Sequence, residues 1–466
     1  MVKLDKRTGF LAYKRQYPEK LKPVERIKNF LEFEKPLTQA ELNVQAARCM
    51  NCGVPFCHDF GCPLGNRIPD INDKVFRGLW KDALDILHST NNFPEFTGKV
   101  CPAPCEDACT LTIDDEAVSF RQIELQIVEH GWETGYIKPL VSENKTSKNI
   151  AIIGSGPTGL AAAQQLAREG HDIVVYEQAN RLGGLLRYGI PDYKLDKSKI
   201  DRRVQQMETE GVKFETEVEI GLDISFNYLM KSYDAVLIAA GARNARDLDV
   251  PGRDLDGIHQ ALDYLTQQNK INAGETISED VKISAEGKKV IVIGGGDTGA
   301  DCVGTAIRQS AKSVTQIELL PEPLAIRSDE NPWPEYRKIL RTSTSHEEGC
   351  ERLWSLLTKE FKGESGNVKK IITSALDWNL ENRQFTELQN QTLDADLVLL
   401  AIGFLSNEKC EILNNFLNSS TEELLTEEKK KAIFTAGDVV EGPSLVVNAI
   451  FSGRKVAEEI NEFLSY

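Results

Sequence analysis

Residues 1–48 mix apolar and polar positions, with a helical look from Thr38 to Arg48, and a second helical segment runs from about Val118 to His130. The pattern then changes. An apolar run from Asn149 to Ile153 meets a glycine turn, a helically spaced stretch of small and apolar residues follows, and a second apolar run ends at Glu177. That order predicts strand, turn, helix, strand: a βαβ unit. The same pattern returns over 288–320. Between the two, Tyr233 to Gly241 predicts a short strand ending in small residues, and Asp396 to Gly403 repeats that ending. Phe434 to Ile460 predicts strand, Gly-Asp turn and helix. The polar stretch 141–148 reads as a linker, and 407–431 as an acidic surface excursion. The duplicated βαβ unit is the one internal repetition, so the fold class expected is α/β.

At 466 residues the chain has room for about two to four domains. A net charge of −16 argues against nucleic-acid or anionic-membrane surfaces, which need clustered Lys and Arg. No apolar run approaches the roughly 18 residues of a spanning helix, and the first residues lack the apolar centre of a secretory signal. The expectation is a cytoplasmic protein with no nucleic-acid or membrane partner. In that setting the cysteines need a reason other than disulfides. Seven of the ten lie between Cys49 and Cys109, which points to metal; Cys302 reads as core, and Cys350 and Cys410 as structural.

The first glycine loop is Gly154-Ser-Gly156-Pro157-Thr158-Gly159, and Glu177 ends the next strand 23 residues after Gly154. The first glycine permits the tight turn, the second admits a pyrophosphate, the third lets helix and strand pack, and the acid takes ribose hydroxyls. The helix N-terminus faces the phosphates. The second loop, Gly294-Gly-Gly296-Asp297-Thr298-Gly299, has Glu318 in the matching place, 24 residues on. Two such sites suggest FAD and a nicotinamide nucleotide. Gly437-Asp438 before the last helix makes the chain similar to two-dinucleotide flavoproteins, in which the FAD domain is interrupted by the nicotinamide domain and resumes at the end. That resemblance implies FAD on the first loop and NAD(P)H on the second. Candidate FAD contacts also include Arg181, Gly184 and Leu185 in the run from Arg181 to Pro191, Gly241, and the Gly437-Asp438 pair. Hydride transfer from nicotinamide to flavin needs stacking and exclusion of water rather than a side-chain base, so no catalytic acid or base is assigned.

The cysteine spacing is Cys49-x2-Cys52-x4-Cys57-x4-Cys62, then Cys101-x3-Cys105-x3-Cys109. Zinc takes closed sets of four Cys and His, and His58 would bring the ligand count to eight. Iron–sulfur clusters also take thiolates. Zinc is redox-silent, whereas a hydride acceptor is usefully wired to one-electron clusters, so the flavin favours iron–sulfur.

The Cys49 to Asp70 segment, the block from Thr97 to Leu111, the glycine loops, the run from Arg181 to Lys197 and the segment from Thr435 to Arg454 together resemble the small (β) subunit of glutamate synthase, nearly end to end. The module is shared with dihydropyrimidine dehydrogenase. The resemblance implies an N-terminal helical iron–sulfur domain (1–147), an FAD domain in two parts (148–255 and 405–466) and an NAD(P)H domain inserted between them (256–404). It implies two [4Fe-4S] clusters with interleaved ligands: Cys49, Cys52, Cys57 and Cys109 for one; Cys62, Cys101 and Cys105 for the other. Seven cysteines leave one place open. The dehydrogenase relative uses a Gln there, and counting along the downstream helix puts Glu124 in that position; an ordinary solvated helix carboxylate is the competing reading.

Many members of that family carry Tyr-Arg-Arg at the end of the second strand of the nicotinamide domain, suited to a 2′-phosphate. Here the place reads Glu318-Leu319-Leu320, which leans toward NADH, although Arg327 lies near in sequence. The activity implied is NAD(P)H oxidation at FAD, with electrons passing through the clusters to a large (α) subunit that makes L-glutamate from L-glutamine and 2-oxoglutarate. The segment from Met1 to Lys3 has no Cys nucleophile for amide hydrolysis, so that step is expected of the partner. The alternatives are an NAD(P)H–ferredoxin-type subunit serving another acceptor and a zinc-bearing, non-catalytic scaffold.

Overall fold

The structure is a computed structural model and describes residues 4–242, 244–405 and 432–465. Cys410 and the 407–431 excursion lie outside the described residues.

The N-terminal part is helical. Gln39–Ala47 opens on a capping box, in which Glu41 N–H donates to Thr38 Oγ1 at 3.4 Å and Glu41 Oε2 accepts from Thr38 N–H at 2.7 Å. Ile68–Phe76, Trp80–His88, Pro94–Val100 and Phe120–Glu133 follow. Leu42, Ile71, Leu84, Leu87, Ile123 and Ile127 from these helices share one core. The cysteines lie mainly in the irregular segments over that core: the π-turn Cys57–Gly61, the one-turn helix Pro104–Asp107 and their flanks.

The first sheet is parallel, in the order Ile433–Thr435, Ala235–Ile238, Asn149–Ile153, Asp172–Glu177, Lys213–Thr216. Its central strands are apolar on both faces because helices cover both, as parallel sheets require. The chain leaves this sheet after Ala235–Ile238 and rejoins it beside that same strand, with Ile433 opposite Val236. In between it builds a second parallel sheet, in the order Glu351–Leu353, Ser313–Ile317, Lys289–Ile293, Leu397–Leu400, Ile258–Gln260. A three-stranded antiparallel meander, Leu356–Glu364, Asn367–Asn379 and Gln384–Asp394, joins it through shared core residues such as Phe361, Ile371 and Val398. The last helix, Val446–Leu464, crosses Pro157–Arg168 closely enough that a Cβ on Gly453 would lie 2.2 Å from the Thr158 carbonyl oxygen.

The helical part is docked on both sheets. Arg203 meets Glu95 in a buried pair beside the first sheet, and Arg26 and Arg308 both reach the buried Glu348 carboxylate beside the second. Among the described residues no helix is long and apolar enough to cross a membrane.

Candidate functional site

A cleft of about 650 Å³ opens at the carboxyl ends of the first sheet. That is where open α/β sheets bind nucleotides. Its lining includes Gly154, Gly156, Pro157, Thr158, Glu177, Gly184, Leu185, Gly241 and Asp438. Glu177 is buried, and its carboxylate organises the loop. Oε2 accepts from Ser155 N–H at 3.0 Å and Ser155 Oγ at 2.6 Å, and Oε1 accepts from Ala179 N–H at 2.9 Å. Ser155 Oγ in turn accepts from Gly183 N–H at 3.0 Å, tying the phosphate loop to the Gly183-Gly184 turn. Asp438 Oδ1 accepts from Ser444 Oγ at 2.7 Å, and burial pushes its carboxyl above the usual range.

Three sequence candidates do not line the cleft, and Gly159 among them has the packing place expected of the third glycine. Gly159 is behind the loop: a Cβ there would stand 2.0 Å from the Gly154 carbonyl oxygen, so it serves helix–strand packing. Gly437 has φ +76°, and its Cβ would stand 2.3 Å from Thr158 Oγ1, so it too serves close packing. Arg181 is exposed and does not line the cleft. Its backbone N–H is held by Tyr188 Oη at 3.1 Å, and its guanidinium reaches the Ala273 carbonyl at 3.4 Å.

The far wall of the cleft comes from the helix Ala261–Asn272 of the inserted part, through Leu262, Asp263, Thr266 and Lys270. Lys270 Nζ lies 5.9 Å from the centre of the Tyr188 ring, another lining residue. These were not legible in the sequence, because nothing in a local pattern says that this helix faces the other sheet.

The second loop is built like the first. Glu318 Oε2 accepts from Gly295 N–H, the counterpart of the Glu177–Ser155 bond. Gly296 and Asp297 are exposed, Thr298 is half-buried, and Gly299 packs with its would-be Cβ 2.3 Å from the Gly294 carbonyl oxygen. Beneath the loop Gln316 Nε2 donates to Gly294 O at 2.7 Å, and Gln316 Oε1 meets His346 Nε2 at 2.7 Å. Burial pushes His346 down to about 4, so the ring is neutral and its Nε2–H donates to Gln316. Gln316 and His346 were not legible from sequence. Arg327 does not present its fork to solvent: its Nη1 donates to the carbonyls of Asn331, Pro332 and Glu335 at 2.9, 3.0 and 2.8 Å, and its Nη2 is buried without a partner.

The seven clustered cysteines surround two small cavities. Cys49, Cys52, Cys57 and Cys109 line the first, with Cys105 on its wall. Cys62, Cys101, Cys105 and Glu124 line the second. His58 lines neither; its Nε2 lies 3.3 Å from Asp59 Oδ1. Among the described residues no three His, Cys, Asp or Glu side chains converge as the ligands of one metal ion would. The thiols line shared spaces, a donor set that suits a thiolate-held cluster. Burial pushes Cys62 up to about 11 and Cys101 up to about 12, and raises Cys49, Cys57, Cys105 and Cys109 as well. Thiolates here therefore need a positive centre to hold them. Backbone donors already face the sulfurs: Asn66 N–H lies 3.5 Å from Cys62 Sγ and Ala103 N–H 3.4 Å from Cys101 Sγ.

Glu124 is buried at 5% exposure, so it is not a solvated helix carboxylate. Its Oε1 accepts from Asn91 Nδ2 at 3.0 Å and from Thr97 Oγ1. Burial outweighs those bonds and raises its carboxyl to about 8. Cys302 is wholly buried in the core of the second sheet, as expected. Cys350 is half-buried, with Sγ 3.1 Å from the Glu351 carbonyl oxygen.

Known proteins place these features together. Residues 148–453 match the pyridine nucleotide-disulphide oxidoreductase family, and residues 26–136 match the 4Fe-4S domain II of dihydropyrimidine dehydrogenase. The chain is 44% identical to the glutamate synthase [NADPH] small chain of Mycobacterium tuberculosis, over 98% of this chain and 95% of that one. It is 42% identical to the Bacillus subtilis small chain over 99% of each. It is also 46% identical to glutamate synthase [NADH] of Schizosaccharomyces pombe, spanning 98% of this chain but 23% of that protein. The fold is shared with Mycobacterium tuberculosis FprA in complex with NADPH: TM-score 0.52 and 18% identity, covering 69% of this chain and 85% of that one. Identity of this extent over nearly the whole of both chains shows that the protein belongs to the glutamate synthase small-chain family.

Proposed function

We propose that the chain is the electron-input subunit of a glutamate synthase: it oxidises NAD(P)H at FAD and delivers the electrons, through two [4Fe-4S] clusters, to a large subunit that makes L-glutamate from L-glutamine and 2-oxoglutarate. One observation carries the reading: the three cavities adjoin in series. Val446 and Ala449 wall the FAD cleft, while Val447 on the same helix walls the second cysteine cavity. Cys105 walls both cysteine cavities. When bound, FAD takes electrons in pairs from a nicotinamide and iron–sulfur clusters pass them singly.

The chain's residues then have these roles. Glu177 and Asp438, with Gly154, Gly156 and the helix that begins at Pro157, hold FAD. The Gly294–Gly299 loop and Glu318 hold the nicotinamide nucleotide. Cys49, Cys52, Cys57 and Cys109 ligate one cluster; Cys62, Cys101, Cys105 and Glu124 ligate the other. Glu318 accepts ribose hydroxyls and repels a 2′-phosphate, and Arg327 has Nη1 on carbonyls and Nη2 buried, so NADH is the preferred donor. The fission-yeast relative, in which this region is about a quarter of a longer chain, supports a partner that supplies the remaining chemistry here.

The test is co-purification with a large glutamate synthase subunit. An assay for glutamate formation from glutamine and 2-oxoglutarate follows, first with NADH and then with NADPH. Pairing and turnover, faster with NADH, is the expected result. Failure to pair, alongside efficient ferredoxin reduction, would replace the reading with a ferredoxin-type oxidoreductase.

A further inference from the structure

Asn72 is a polar side chain of the first cysteine cavity that the proposed roles leave unused. It lies on Ile68–Phe76, is fully buried, and lines the first cysteine cavity beside Cys49. Neither its Nδ2 nor its Oδ1 has a hydrogen-bond partner. A buried amide without a partner is costly, and such a group calls for an unseen one. The other non-cysteine polar residues on that wall are occupied. Glu106 binds Arg15 and the Arg121 N–H, and Thr110 lies 3.7 Å from Cys52 Sγ. The remaining lining is apolar or cysteine, so what fills the cavity must answer Asn72. Thiolate and sulfide sulfurs offer acceptors and no donors, so an amide facing them presents its NH₂.

We infer that Asn72 donates an N–H···S hydrogen bond to the cluster in the first cavity, at or beside the Cys49 sulfur, and so raises the reduction potential of that cluster and not of the other. The inference rests on the cluster reading above. Donors to cluster sulfurs stabilise the more negative, reduced state, and hydrogen bonding is one of the protein's levers on potential. Asn72 is thus a positioning and tuning residue. In a chain of cavities in series, it would make the first cluster the better electron acceptor.

The experiment is a potentiometric titration of whole, anaerobically purified protein, followed by electron paramagnetic resonance, with iron, sulfide and FAD contents measured on the same samples. Asn72→Leu keeps the volume and removes the donor. Asn72→Asp keeps the shape and adds a negative charge. The expected result is full iron in both variants, one cluster signal shifted to lower potential in the Leu variant and further in the Asp variant, and the other signal and the flavin unmoved. Identical titrations for wild type and Asn72→Leu at full iron, or equal shifts of both clusters, would overturn the inference and leave the cluster reading standing. Wild-type protein without iron and sulfide would overturn both. If the variants do not fold, wild type grown with asparagine labelled by ¹⁵N in the side-chain amide alone decides it: Asn72 is the asparagine lining the first cavity, whereas Asn66 and Asn91 line the second, so a nitrogen coupling on the signal of the cluster held by Cys49, Cys52, Cys57 and Cys109 supports the bond, and none on that signal refutes it.

Discussion

Arg203 grips Glu95 with two parallel hydrogen bonds, Nε to Oε1 at 2.7 Å and Nη2 to Oε2 at 2.9 Å, and both side chains are out of solvent. The pair joins Ser198–Thr209, on the first sheet, to Pro94–Val100, the helix that leads into Cys101. Removing one partner leaves a buried charge unpaired. Glu95→Ala should therefore cost about 3–5 kcal/mol of stability, while the double replacement Glu95→Leu with Arg203→Met should recover most of it. Denaturant unfolding of wild type and these two variants checks this.

The flavin loop depends on Glu177 in the same way. Its carboxylate takes three donors, two of them from Ser155. Glu177→Ala leaves buried donors unanswered, at about 1–3 kcal/mol. FAD should be lost on dialysis from this variant and retained by wild type, read from flavin absorbance per protein.

The open cluster place gives a sharper outcome. Glu124→Ala should lower iron from about eight to about four per FAD, because only the second cavity loses a ligand. Glu124→Gln should keep more, since an amide oxygen can still reach the metal. Iron unchanged in the Ala variant would remove Glu124 from the ligand set.

His346 makes a pH prediction. Its folded value, about 4, lies below the ordinary 6.5, so the unfolded chain binds the proton more readily. The neutral-ring contribution is complete above about 6.5 and is lost as pH falls toward 4. His346→Gln should flatten the loss of thermal stability over that window relative to wild type. Parallel pH profiles for the two proteins would contradict the assignment.

Both nucleotide units were legible, because each apolar strand runs straight into a glycine loop and ends its second strand on an acid. The meander was not. Gln384–Asp394 is mostly polar and, apart from the half-buried Leu393, exposed on both faces, so it carries no alternation to read. The cysteine spacing pointed to metal, but it could not say that Cys105 sits between two cavities, since that depends on how Pro104–Asp107 lies over the helices. The resemblance singled out Glu124, but spacing alone could not separate it from a solvated helix carboxylate; Asn91 and Thr97, distant in sequence, enclose it. Ser155 could have been suspected from its place inside the first loop. Gln316, His346 and Lys270 could not, because their partners come from other strands and helices.

The central claim is that this chain holds iron–sulfur clusters beside a flavin. Iron, acid-labile sulfide, zinc and FAD measured on anaerobically purified protein test it most directly. The account predicts about eight irons and eight sulfides per FAD, with little zinc. Zinc in place of both iron and sulfide would contradict it.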